Sequence, residues 1–528
     1  MTENTTLKYT PLQEIDSKIR LANEYFHEKQ LKLSKTPSPR KADLKIRSLQ
    51  LKKLYYAIKN HEQDILDAMY RDFHRSPTET TVLEIIPVYN AILHIIDRLH
   101  IWMAPKRIRD NSSPAFMFSK IVIEKIARGS ALIIGPFNFP FFLSLLPVAY
   151  AISAGNSVIL KPSELVPSCA QLLEEILYDA DFPQGMVQVV QGSIPETESL
   201  VQSGRFDLIF FTGAPKTGSI IAQEAAKSLT PCVLELGGKS PAFITETLEN
   251  KYLETTLKRL FFSSFGNSGQ ICVSPDYALV HESKYSEVVD LAKKILQDFF
   301  PRIDESVEYS HMVNEKAYNE VCKKLESTKG TKFTSGGQTP EKLDFFIPPT
   351  LVFDVDWNDS LMQSENFAPI LPFIKYRDLD DTIERLLRSC DTPLAQYIFS
   401  GSDQEIQHIL SRVRSGGCVV GDTLIHVGIT DAPFGGIGTS GYGSSGGIYG
   451  FNAFSHERTI LKQPFLVERL LSMRYPPASS FRRSILRVGM ERKPWFDRTG
   501  KNNIPFLRSV VISVLVLCFS VCFYSYKS

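Results

Sequence analysis

The sequence predicts an α/β fold: parallel sheets covered on both faces by helices, divided over more than one domain. Two observations carry this. The chain has 528 residues, more than a single hydrophobic core usually serves. From residue 130 onward, short apolar runs rich in β-formers alternate with helical segments, the pattern of a parallel sheet buried on both faces.

The elements follow in order. Residues 12–73 read as helical, with Leu49, Leu51, Leu54, Tyr55 and Ile58 at helical spacing. Strands are expected at 130–135 (SALIIG), 156–160 (NSVIL), 186–190, 208–212 (LIFFT) and 233–236, with helices at 147–154, 168–180 and 216–229 between them. The alternation resumes in a helix at 251–264, a strand at 276–281, a helix at 284–299 and a strand at 370–376, which a second α/β domain explains. Residues 435–450 are half glycine, and beyond Lys462 the chain turns basic and irregular. There is no internal repeat.

Composition narrows the function. A net charge of +1 argues against a general nucleic-acid binder, which needs an excess of Lys and Arg. The eight cysteines form neither a metal-ligand spacing nor a disulfide framework, so no metal is expected and a reducing compartment is. The N-terminus lacks the apolar run of a secretory signal. Residues 509–526 carry no charge and are flanked by Arg508 and Lys527, which reads as a short membrane-spanning helix.

Several motifs carry chemistry. Gly436, Gly438 and Gly441 spell G-x-G-x-x-G, but no strand precedes them and no helix follows, so no phosphate is expected there. The segment Gly213 to Gly218 follows the strand LIFFT, with Thr212 at its end, and opens a helix. It reads equally as a diphosphate cradle at a helix N-terminus and as a glycine-punctuated turn. Lys161, Ser163 and Glu164 follow NSVIL, where parallel strands end and cofactors bind; a Lys and a Glu there suit ribose hydroxyls, although a solvated loop would look the same. Cys272 follows small residues that leave room for a substrate, and Glu235 opens Glu-Leu-Gly-Gly-Lys. A thiol nucleophile and a carboxylate base are the parts needed to form and hydrolyse a thioester.

Together, PFNFP at 136, KPSE at 161, FTG at 211, ELGGK at 235, GQIC at 269, Glu365-Asn366-Phe367 and PFGG at 433 occur in the order of the aldehyde dehydrogenase superfamily, and the chain resembles it over roughly 45–475. FSHER at 454 and RYPP at 474 resemble its class 3 branch, and with the apolar tail the chain is most similar to the membrane-anchored fatty aldehyde (hexadecenal) dehydrogenases of fungi.

The resemblance implies Cys272 as nucleophile, Glu235 as general base and Asn138 as oxyanion donor. It implies Lys161, Ser163 and Glu164 on the adenosine ribose, Thr212, Gly213 and Gly218 about the diphosphate, and Glu365 and Phe367 at the nicotinamide ribose. NAD is the expected cofactor, with NADP accepted. The substrate is expected to be a long-chain aldehyde from lipid, such as hexadecenal from sphingolipid breakdown, with aromatic aldehydes as a second class. A homodimer is implied. The domains expected are a helical N-terminal extension (1–45), an NAD-binding domain (46–236, with 113–128 in an oligomerisation arm) and a catalytic domain (237–425). An arm with a glycine-rich active-site loop (426–462), a basic tail (463–508) and the anchor (509–526) complete the chain. The catalytic domains are expected to face the cytosol on the mitochondrial outer membrane or endoplasmic reticulum, or at lipid droplets. A membrane-tethered scaffold without turnover and an acyl-CoA-linked reductase are the competing readings. The family pattern Glu-Ile-Phe-Gly-Pro stands here as Glu365-Asn366-Phe367-Ala368-Pro369.

Overall fold

The computed structural model describes residues 7–109, 116, 118–301, 309–389, 392–468, 472–477, 479–491 and 494–502. The apolar segment 509–526 lies outside them. Among the described residues, no helix is long and apolar enough to cross a membrane.

The chain divides into two compact units, one of residues 105–124 and 458–528, the other of 1–104 and 125–457. In the smaller, β1 (Lys106–Ile108) pairs antiparallel with β2 (Lys120–Ala127), Lys106 opposite Ile123.

The larger unit holds two sheets. β3 (Ser130–Ile134), β4 (Ser157–Lys161), β5 (Val187–Val189), β6 (Leu208–Gly213) and β7 (Cys232–Leu236) run parallel in the spatial order β7-β6-β3-β4-β5. β8 (Ser240–Ile244), β9 (Pro275–His281), β10 (Thr331–Thr334), β11 (Thr350–Phe353), β12 (Ile370–Tyr376), β13 (Ala395–Phe399) and β14 (Gly417–Val420) form the second sheet, ordered β10-β11-β12-β9-β8-β13-β14, with β10 antiparallel to β11. The short β15 (Gly441–Tyr442) adds an antiparallel edge to β7. β16 (Ser455–Lys462) completes the small sheet β1-β2-β16. The expected strands at 130–135, 156–160, 186–190, 208–212, 233–236, 276–281 and 370–376 all form, within a residue or two. In the second sheet, β8, β10, β11, β13 and β14 are additional.

Both faces of the first sheet are buried, as its apolar strands require. On β3, Ala131 and Ile133 pack with Leu51, Leu54 and Ile58, whereas Leu132 and Ile134 pack with Ile15, Ile19 and Ala22. The stretch 12–73 is three helices, Leu12–Ser34, Pro39–Asn60 and Glu62–Phe73, broken where Pro37 and Pro39 interrupt helical hydrogen bonding and again at His61. The first of these, within the helical N-terminal extension, covers one face of the sheet. It is also locked from its far end. Lys29 donates to the Gly155 carbonyl at 3.1 Å and pairs with Asp43 at 3.0 Å, while Arg47 donates to the Ser153 carbonyl at 2.9 Å. Both cations thus sit on the last carbonyls of the helix Phe142–Ala154, where the helix dipole favours them.

Candidate active site

Strand order reverses between β3 and β6: β4 and β5 lie on one side, β6 and β7 on the other. The crevice beyond the carboxyl ends of parallel strands at such a point is where nucleotides bind. The sequence-selected residues converge there. Lys161 ends β4, is buried, and donates to Glu164 Oε2 at 2.6 Å. Ser163 is buried, and its hydroxyl accepts from the Leu165 N–H at 3.4 Å. Thr212 and Gly213 end β6, and the helix Pro215–Lys227 opens two residues later. The Thr212 hydroxyl oxygen is buried without a partner, an orphaned group that a bound ligand would satisfy. A Cβ at Gly218 would stand 2.7 Å from Leu236, so this glycine serves close packing of helix on strand. The hydroxyl, the ammonium–carboxylate pair and the helix N-terminus fit a dinucleotide. Gly436, Gly438 and Gly441 do not meet a strand-to-helix turn; Gly441 pairs with Glu235 across β15 and β7.

Cys272 follows a turn of unusual backbone. After the helix Leu253–Phe265, Asn267, Ser268 and Gly269 take φ of 50°, 53° and 68°. A Cβ at Gly269 would come 2.0 Å from the Ala368 carbonyl oxygen, so only glycine fits. Two successive non-glycine residues in the left-handed region cost about 1–3 kcal/mol each, and distant side chains hold them there. The Asn267 N–H donates to Glu79, and Asn267 Oδ1 accepts from Arg75 Nε at 3.1 Å. Arg75, fully buried, also pairs with Glu84 at 3.0 Å and donates to the Asn138 carbonyl at 2.6 Å. Asn138 Nδ2 donates to the Gln270 carbonyl at 2.9 Å, which leaves its second N–H for another acceptor. Gln270 Nε2 reaches the His311 carbonyl at 3.0 Å. Arg75, Glu79 and Glu84 stand in none of the motifs read from the sequence, and Asn267 and Gln270 only flank Cys272 there. The signal for the first three is a run of charges, 75, 79 and 84, around an apolar helical stretch.

Two carboxylates face the thiol. Glu235 lies on β7, fully buried, and accepts from Ser445 Oγ at 2.6 Å. Burial pushes its carboxyl up to about 7, with the Ser445 hydrogen bond opposing. Glu365 packs on the glycine turn after β7, where a Cβ on Gly237 would come 2.5 Å from Oε2. Burial, then Asp276, pushes it up to about 8, against the Gly238 N–H, Lys239 and Lys324. The loop carrying it is clamped: Lys239 donates to the Ser364 carbonyl at 3.0 Å, Lys324 to the Glu365 carbonyl at 2.7 Å, and the Asn366 N–H to Asp276 Oδ1 at 2.7 Å. Asn366, which replaces the family's isoleucine, also donates from Nδ2 to Asp276 at 3.2 Å, so the departure serves the clamp. Phe367 follows at φ 48°, edge-on to Phe137 at 5.9 Å. Burial, Glu365 and Glu235 together push the Cys272 thiol up to about 12. Burial above all favours the protonated thiol, with the two carboxyls adding to it, so attack calls for the carboxylate base.

The sequence and architecture match known proteins. The aldehyde dehydrogenase family model matches residues 8–460, which takes in most of the segment set apart as an extension. Fatty aldehyde dehydrogenase HFD1 of Saccharomyces cerevisiae is 53% identical over 522 residues, 97% of each chain. The dimeric NADP-preferring aldehyde dehydrogenase of Canis lupus familiaris is 35% identical over 436 residues, 82% of this chain and 94% of that one. A substrate-bound Staphylococcus aureus AldH structure superposes with a TM-score of 0.79 at 35% identity, covering 85% of this chain and 94% of its own. The chain belongs to the aldehyde dehydrogenase family and is an NAD(P)-dependent aldehyde dehydrogenase.

Proposed function

We propose that the protein oxidises long-chain fatty aldehydes through a Cys272 thioester, at a membrane surface. The observation that carries the mechanism is the buried Glu235 carboxyl near 7, coupled to the Cys272 thiol across one site. Glu235 takes the thiol proton, and the sulfur adds to the aldehyde carbon. The free N–H of Asn138 and the Cys272 backbone N–H hold the developing oxyanion; losing one such donor typically costs about 100- to 1000-fold in rate. When bound, the nicotinamide cofactor accepts the hydride. Lys161, Ser163 and Glu164 would hold its adenosine ribose, Thr212 and Gly213 would flank its diphosphate, and Glu365 and Phe367 would place its nicotinamide ribose. Glu235 passes the thiol proton to solvent and then withdraws a proton from water; the hydroxide adds to the thioester carbon, the carbon–sulfur bond breaks to release the acid, and the proton returns from Glu235 to the Cys272 sulfur. A retained base speaks against the scaffold reading, and water activation against acyl transfer to a thiol cofactor.

Ser445→Ala provides a first check on the base. Its hydroxyl stabilises the ionised carboxylate, so removal should raise the Glu235 pKa by about 1 unit. The acidic limb of the kcat–pH profile should then move to higher pH. An unchanged limb would detach Ser445 from the base. At the ribose end, Glu164 repels a 2′-phosphate, so Glu164→Gln should raise the NADP/NAD ratio of kcat/KM by about tenfold. A ratio that stays fixed would remove Glu164 from cofactor choice.

The substrate class rests on two supports: the 53% identity to the Saccharomyces fatty aldehyde dehydrogenase and the apolar segment 509–526. The helix Ser480–Met490 precedes that segment, capped by Ser479 and exposing Phe481 and Ile485 alongside Arg482, Arg483 and Arg487. Such a face suits an anionic bilayer. We assign the anchor to the mitochondrial outer membrane or endoplasmic reticulum, with lipid droplets as the alternative, and the enzyme to a homodimer facing the cytosol. Deleting 505–528 should release the protein from membranes as a particle of twice the chain mass. Oxidation of short aldehydes should persist, while clearance of membrane-borne long-chain aldehydes in cells slows. A truncated protein still membrane-bound after a carbonate wash would remove the anchor.

A further inference from the structure

We propose that Lys324 is a positioning residue for the cofactor, its ammonium holding the loop 364–366 so that Glu365 and Phe367 receive the nicotinamide ribose. This rests on the cofactor assignment above, and it adds a residue that stands in none of the motifs. Lys324 lies in the last turn of the helix Glu315–Ser327, beside Lys323, and nothing local in the sequence separates the two. The structure does: Lys323 is exposed, whereas Lys324 is half-buried.

An ammonium has three N–H donors, and Lys324 directs all three at this one loop. It donates to the Glu365 carbonyl at 2.7 Å, to Asn366 Oδ1 at 3.3 Å and to the Ser364 carbonyl at 3.4 Å. Two further side chains hold the loop from other elements. Lys239, after β7, donates to the Ser364 carbonyl at 3.0 Å, and Asp276 on β9 accepts from the Asn366 N–H at 2.7 Å. Of the three, Lys324 is the one that reaches the backbone of Glu365 itself. Phe367 follows at φ 48°, a left-handed backbone that a phenylalanine keeps only where its surroundings hold it.

Turning a lysine inward costs desolvation, and Lys323 shows that this helix can leave one in water. Burial lowers the proton affinity of the Lys324 ammonium; Asp276, Glu365 and Glu320 oppose this, and Lys239 adds to it. The charge also acts on Glu365, where with Lys239 it works against the rise that burial and Asp276 impose. A carboxylate that accepts ribose hydroxyls gains twice from a cation placed behind it, because its backbone is fixed and its ionised form is favoured.

The test uses the full-length enzyme and the variants Lys324→Met, Lys324→Arg, Lys323→Met and Glu365→Gln. Binding is followed by the fluorescence of bound NADH, and steady-state rates are measured with NAD and octanal. Lys324→Met should raise the NADH Kd and the KM for NAD by roughly tenfold, while the octanal KM stays within about twofold. Lys324→Arg keeps charge and donors and should lie within about threefold of the wild type. Lys323→Met should change neither constant beyond about twofold. A Lys324 that served the fold alone would lower the thermal midpoint and the active fraction, and leave the Kd of the folded protein unchanged. An unchanged Kd in Lys324→Met would therefore overturn the proposal. So would an arginine variant no better than the methionine one, or an equal effect from Lys323→Met. If Glu365→Gln left both NADH affinity and turnover intact, the ribose assignment would fall instead, so the two failures are distinguishable.

Discussion

Replacing Cys272 by serine is expected to lower kcat by at least about 1000-fold on every aldehyde, with the protein still folded and still binding NAD. A hydroxyl ionises far less readily than a thiol, and no general base short of strong activation makes it comparably nucleophilic. The buried carboxylates sharpen the effect, because a site that holds even a thiol protonated near 12 disfavours an alkoxide further. Cys322→Ser and Cys418→Ser, on residues outside this site, should leave kcat within about twofold. Retention of more than a few per cent of activity by Cys272→Ser would end the thioester mechanism.

Glu235→Gln separates the two halves of the reaction. With the base gone, the acyl group should remain on Cys272, visible as an added mass on the intact protein after incubation with aldehyde and NAD. Turnover should fall by about 100- to 10,000-fold, the usual contribution of general base catalysis. The sign of the pH dependence follows from the raised pKa. Glu235 acts as base only when ionised, so in the wild type kcat should rise about tenfold per pH unit below about 7 and level off above it. That limb should vanish in Glu235→Gln. Normal turnover without an adduct would take Glu235 out of the base role.

Much of this was legible in the chain itself. The five parallel strands of the first sheet are short apolar runs with turn residues at their ends, so burial on both faces could be read from composition. Cys272, Glu235 and the residues of the cofactor crevice sit in motifs whose order is itself a signature. The frame around them was hidden for a physical reason. Arg75 reaches Asn138 and Asn267 across 63 and 192 residues of sequence, and no local pattern encodes a contact between segments so far apart. The raised Cys272 thiol was equally invisible, because it depends on burial by distant segments and on Glu235 from β7 meeting Glu365 from a loop 130 residues later. The covering of the sheet by Leu12–Ser34 was missed because an amphipathic helix looks alike whether it packs on its own domain or on something else.

The left-handed turn before Cys272 also bears on biogenesis. Its supports are made at different times: Glu79 and Arg75 nearly two hundred residues before it, His311 and Ala368 forty and a hundred residues after it. A ribosome that has released Cys272 but not Ala368 carries a cysteine with no imposed geometry, and domains made of such distant parts settle only once their last strand is present. The nucleophile thus becomes competent at the end of synthesis, and a prematurely terminated chain would carry an ordinary thiol rather than a half-working enzyme.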